Sequence, residues 1–150
     1  AIEDEYAARA EYAAIMAKFG EQRPFSNIMR AEQTHIARLT PLFAAHGVAL
    51  PKDNAAQHVL VPATLAEAFK IGVDAEVKNI AMYEAFLRAE LPAAVRLVFE
   101  ALKNASKNHL AAFENGVKRG TGAGSGAGFG AGNGNGAGAG QGGAGRGRQR

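Results

Sequence analysis

Four successive segments of this chain repeat apolar side chains every three or four positions, the spacing of an α-helix, and inside each stripe stands at least one group that can ionise. The first stripe reads Ile2, Glu5, Arg9, Tyr12, Met16, Phe19, and the second Phe25, Ile28, Glu32, His35, Leu39, Leu42. The third reads Leu65, Phe69, Gly72, Glu76, Asn79, Tyr83, Leu87, and the fourth Val95, Phe99, Leu102, Ser106, His109, Phe113. No strand-like alternation occurs before residue 117, so the expected fold class is all-α.

Punctuation between the stripes sets the connectivity. The first helix spans Ile2 to Phe19 and stops at Gly20; Pro24 suits the first turn of the second, with Ser26 as another possible cap. That helix runs toward Ala45, and Pro41 inside it is expected to kink it or end it early. Residues 47 to 63 are too long for a tight turn and suit a crossover along the bundle. Thr64 and Glu67 match a capping box opening a third helix to about Ala89; the fourth runs from about Pro92 to near Gly116. Two helical hairpins joined by a long crossover between helices 2 and 3 describe a four-helix bundle of ferritin-like connectivity.

Glycine divides the chain. Of its 19 glycines, 15 lie beyond residue 119, and every even position from Gly120 to Gly142 is glycine. Residues 1–117 are therefore the folding unit, and 118–150 form a low-complexity tail that cannot build a core. As a flexible linker such a tail would be incidental. A strict period of two, however, puts all glycines on one face of an extended strand, which permits very close approach by another backbone. A strand of that kind needs partners, and a neighbouring subunit could supply them, giving a homo-oligomer or filament.

The net charge is +3, and Arg146, Arg148 and Arg150 of the tail account for all of it, so nucleic acid is not an expected partner of the bundle. The absence of cysteine excludes disulfides and thiolate metal sites. No apolar run approaches the roughly 20 residues that span a bilayer. The chain starts at Ala1 rather than at a methionine, which fits either a processed mature protein or a trimmed one; if processed, a secreted protein is expected.

Buried without partners, each carboxylate costs several kcal/mol, so three of them with two histidines need a shared partner. A divalent metal satisfies carboxylate and imidazole together. At this point a resemblance emerges. The segments "EYAARAEY", "FSNIMRAEQTH", "GVDAEVKNIAMYE" and "ASKNHLAAF" resemble the helix signatures of ferritin-like proteins, in particular a family related to rubrerythrins, over residues 1–117. The resemblance implies a carboxylate-bridged metal site with Glu5, Glu32, His35, Glu76 and His109 as ligands, iron foremost and manganese or zinc as alternatives. Two positions depart from it. Ser106 stands where a second Glu-x-x-His would begin, and Asn79 where an acidic residue often follows Glu76 by one turn.

Counting residues raises an objection to Glu5. It lies 15 residues before Gly20, roughly 22 Å along a helix, whereas Glu32 lies 8 after Pro24, about 12 Å. Unless the loop climbs back, Glu11 or Tyr12 faces Glu32; the resemblance favours Glu5. Tyr6, Tyr12 and Tyr83 are read as core or as neighbours of the site, and His46 and His58 as solvent-facing. Two functions follow. One is a secreted, self-assembling, metal-binding ferritin-like subunit joined through its tail. The alternative is a di-iron or mono-metal oxidase, peroxidase or metal-handling protein resembling rubrerythrins, with the tail a flexible appendage.

Overall fold

A computed structural model of the chain describes residues 1–121, which form four helices and, among the described residues, no strand. Helix α1 spans Ile2–Phe19, α2 Phe25–Ala45, α3 Leu65–Leu87 and α4 Ala93–Thr121. Contacts pair α1 with α2 and α3 with α4, and join these hairpins through α1 against α3 and α2 against α4. The start of α1 meets the end of α3 (Glu5 with Tyr83), and the start of α2 meets the end of α4 (Phe25 with Phe113). The helices therefore run up, down, down, up, and the link from α2 to α3 has to travel the length of the bundle.

That link, residues 46–64, holds one 3-10 turn, Ala55–Gln57, and lies along α1. Arg9 of α1 pairs with Asp53 of the crossover, and Lys18 donates to the Pro62 carbonyl at 2.6 Å. Arg9 therefore leaves the inward stripe to which the periodicity assigned it, and Ala8 is buried in its place. A charged group with a partner at the surface avoids the cost of desolvation.

Helix boundaries follow the expected signals with two exceptions. The capping box forms: Glu67 N–H donates to Thr64 Oγ1 at 3.2 Å, and Thr64 N–H to Glu67 Oε2 at 3.1 Å. Pro41, however, does not end α2, which continues to Ala45. Only the bond to Ala37 is lost there, one turn from the natural end. Gly116, read as a C-terminal signal, lies inside α4 instead. A Cβ there would stand 2.2 Å from the Phe69 ring, so the glycine serves the approach of α3 to α4.

Two apolar clusters stack along the bundle. One holds Tyr12, Ile15, Phe25, Ile28, Ala68 and Phe113; the other holds Ile2, Tyr6, Leu39, Tyr83 and Leu102. His46 and His58 are exposed, as expected. The first two positions of the inter-subunit strand expected over 120–142, Gly120 and Thr121, lie in α4, and the rest of it falls outside the described residues. No helix among those described is long and apolar enough to cross a membrane.

Candidate metal centre

The gap between the two apolar clusters is filled by polar side chains from all four helices. Glu5 and Glu32 are fully buried, Glu76 and Ser106 are 1% exposed, and His35, Asn79 and His109 are buried. Each is a stripe residue of its helix, which is why regular α-geometry alone points it inward.

His35 Nδ1 lies 3.0 Å from Glu5 Oε2 and 2.8 Å from Glu32 Oε2. His109 Nδ1 lies 3.3 Å from Glu32 Oε1 and 3.4 Å from Glu76 Oε1. The two imidazoles stack, with centroids 5.5 Å apart. Glu5, Glu32 and His35 form one group whose ligand atoms lie within 4.8 Å of one another; Glu32, Glu76 and His109 form a second. Glu32 belongs to both, one oxygen toward each histidine. Both groups are close enough to hold a metal ion. The five residues singled out from the sequence are thus brought together.

Register explains why Glu5 takes part despite the residue count. The Phe25 ring packs on Tyr12, centroids 5.9 Å apart, so α2 begins level with Tyr12 rather than with Phe19. The loop of residues 20–24 therefore climbs back by seven residues of α1, roughly 10 Å, which is the discrepancy between the two arms. Seven residues before Tyr12 is Glu5, and seven after Phe25 is Glu32. Glu11, the alternative, is half-buried outside both groups; burial raises its carboxyl pKa and Lys78 opposes the shift.

Tyrosines complete the centre. Tyr83 donates to Glu5 Oε1 at 2.5 Å and Tyr12 to Glu76 Oε1 at 3.2 Å. Each hairpin thus lends a phenol to the other hairpin's carboxylate. The spacing Glu5 to Tyr12 recurs as Glu76 to Tyr83, seven residues or two turns, and this repeat is the signal by which sequence could have assigned the tyrosines their carboxylates. Burial, then the nearby carboxylates, push both phenols well above their ordinary range, so they act as neutral donors.

The same pattern exposes an asymmetry. Glu32-x-x-His35 on α2 corresponds to Ser106-x-x-His109 on α4. Asn79 Nδ2 donates to Ser106 Oγ at 3.4 Å, so a neutral pair stands where the pattern of α2 has Glu32.

The carboxylates and imidazoles of the cluster shift one another's titration. Burial works against a charged His35, but its bonds to Glu32 and Glu5 outweigh that and lift it to about 9. His109, also disfavoured as a cation by burial, is lifted to about 9 by Glu32 and Glu76. Glu32 is pushed up by burial but held well below the usual range by both imidazoles. Glu5 is the opposite case: burial, followed by the neighbouring Glu32 charge, outweighs the His35 bond and raises it to about 7.

Glu76 Oε2 and Asn79 Oδ1 are nevertheless buried without a hydrogen-bond partner, and Glu32 Oε1 and His109 Nδ1 face each other at 3.3 Å outside good hydrogen-bond geometry. Unpaired buried acceptors are rare in folded proteins, and Glu76 Oε2, Glu32 Oε1 and His109 Nδ1 all belong to the second group, where a cation would satisfy them together.

The bundle is similar to a hypothetical protein from Methanococcus jannaschii DSM 2661 known from a crystal structure. The TM-score is 0.71 at 24% identity, over 79% of this chain and 75% of that one, a likeness that shows the fold alone. No known family and no curated protein matches the chain.

Proposed function

We propose that the chain is a ferritin-like protein whose bundle holds divalent metal through Glu5, Glu32, His35, Glu76 and His109. The observation that carries this reading is the pair of buried Glu/Glu/His groups sharing Glu32, with Glu76 Oε2 of the second group left without a hydrogen-bond partner. A hydrogen-bond network built for its own sake would have paired Glu76 Oε2 as well. The mixed carboxylate and imidazole set suits iron, manganese or zinc.

A bound ion would supply Lewis acidity and, for iron or manganese, one-electron chemistry. The rest is done by the protein. Tyr83 and Tyr12 fix the orientation of Glu5 and Glu76, an arrangement that also tunes ligand basicity. Phe25 and Phe113 close one end of the site against water, and Leu39 and Leu102 the other. Three carboxylates carry −3 against +4 for two ions, so one ion is held tightly and a second leaves net positive charge in a buried site. This favours metal handling, or chemistry at one strongly held ion, over symmetric two-iron chemistry.

Metal analysis of purified protein, with thermal melts in metal and in chelator, tests the reading. Metal retained at up to one tight equivalent and a melting temperature lowered by chelator are expected. Full chelator insensitivity, with no metal taken up, would overturn it.

Assembly through the tail is the second reading, favoured by the glycine at every even position from 120 to 142. Light scattering compares the full chain, a chain lacking 120–150, and the Gly126→Val/Gly128→Val/Gly130→Val variant. Large particles from the full chain alone support assembly; equal size for all three refutes it.

A further inference from the structure

A groove of about 340 Å³ opens between α1 and α3. Asp4, Glu11 and Asp74 line it, as do Tyr12, Glu76 and Asn79 of the centre. The outer three are surface or half-buried carboxylates, whereas Glu76 is 1% and Asn79 8% exposed. The groove exists because small side chains, Ala7, Ala8 and Ala75, form its walls where bulkier residues would seal α1 against α3. Lys78 is the one cationic residue lining it, against four carboxylates counting Glu76.

Acidic residues at a surface are ordinary; what sets these apart is where the groove leads. Glu76 Oε2 and Asn79 Oδ1, two acceptor atoms on lining residues, are buried with no hydrogen-bond partner. Asp4 is paired with the N-terminal ammonium at 3.1 Å and Lys78 offsets one further carboxylate, so the lining stays net negative. A net negative cleft between low-dielectric walls concentrates cations and speeds their arrival. Asn79 contributes a neutral carbonyl oxygen, which binds a cation in passing without holding it as a carboxylate would.

We propose that this groove is the port by which divalent cations reach the centre, with Glu11 and Asp74 receiving the ion and Asn79 and Glu76 passing it inward. The proposal rests on the reading of the centre as a metal site. It gives Glu11 a role outside the ligand set, and it places the port on the side of the cluster where Glu76 Oε2 is left without a partner.

Co²⁺ serves as the probe, because its visible absorption reports ligation directly. Metal-free full-length protein is mixed with Co²⁺ at low salt in a stopped-flow instrument. The Glu11→Gln/Asp74→Asn variant should load about tenfold more slowly while reaching the same final absorbance, within the range expected of electrostatic focusing. Glu84→Gln/Glu100→Gln removes the same charge at exposed positions that do not line the groove and should load at the wild-type rate. Ala75→Leu, which narrows the groove, should slow loading and chelator-driven release by similar factors. A wild-type loading rate in the groove variant, or equal slowing in the control, overturns the port while leaving the metal site standing. Wild-type protein that takes up no Co²⁺ at all overturns the metal reading itself, and the port falls with it.

Discussion

Phe25, the first residue of α2, packs its ring on Tyr12, seven residues short of the end of α1, with centroids 5.9 Å apart. That contact sets the register of the α1–α2 hairpin, and through it the meeting of Glu5 and Glu32. Phe25 also touches Phe69 and Phe113, so it ties α1, α3 and α4 to one point. Phe25→Ala should cost about 3–5 kcal/mol in urea unfolding of the metal-free protein. A loss below about 1 kcal/mol would show that the register is set elsewhere.

The shared carboxylate gives a stoichiometric prediction. Because Glu32 belongs to both metal groups, Glu32→Gln should weaken both binding events in calorimetric titration, whereas His35→Ala and His109→Ala should each remove one. Wild type should show one tight and one weaker event; two equally tight ions would contradict the charge argument.

Glu5 and Glu32 should respond oppositely to neutralisation in the metal-free protein. Glu32 carries the charge that both imidazoles hold, so Glu32→Gln should destabilise by about 1–3 kcal/mol at neutral pH. Glu5 is raised to about 7 against an ordinary 4.5. Its ionisation therefore opposes folding, and Glu5→Gln should be neutral or stabilising at pH 8. Melting curves in chelator decide between the two signs.

Removing either phenolic hydroxyl tests how the ligands are oriented. Tyr12→Phe should lose about 0.5–1.5 kcal/mol of stability with little change in packing. Metal affinity should fall by about 10–100-fold for Tyr12→Phe and Tyr83→Phe alike. Unchanged affinity in both would reduce the tyrosines to core residues.

Stability should depend on pH in a definite direction. His35 and His109 titrate near 9 in the folded metal-free protein, against 6.5 ordinarily. The folded state then holds protons that the unfolded chain has released, so their contribution is complete below about pH 6.5 and disappears as pH rises through 9. The loss should be on the order of a few kcal/mol in chelator, and His35→Gln/His109→Gln should flatten the profile. Metal affinity should rise over the same range, since ligation requires neutral imidazole.

Helical periodicity alone determined much of this protein. Four apolar stripes, the Thr64/Glu67 cap and the long segment before it specified an all-helical bundle with a crossover, and the stripes contained all five members of the candidate centre, although the choice of Glu5 over Glu11 rested on the family resemblance. Periodicity works because a helix converts spacing along the chain into a face in space. What periodicity cannot supply is the height at which one helix meets another. Counting residues outward from Gly20 and Pro24 misplaced Glu5 by seven residues, since a loop's path depends on packing at a distance, here Phe25 on Tyr12. For the same reason Gly116 read as a helix end until the Phe69 ring occupied its missing side chain, and Arg9 read as inward until Asp53 of the crossover drew it out. The crossed bonds from Tyr12 to Glu76 and from Tyr83 to Glu5 join residues 64 and 78 positions apart, and the groove that reaches Glu76 lies between the same two helices. Only the closing of one hairpin on the other brings such residues within a hydrogen bond of each other, and that closing is decided by the summed packing of both faces rather than by any local signal.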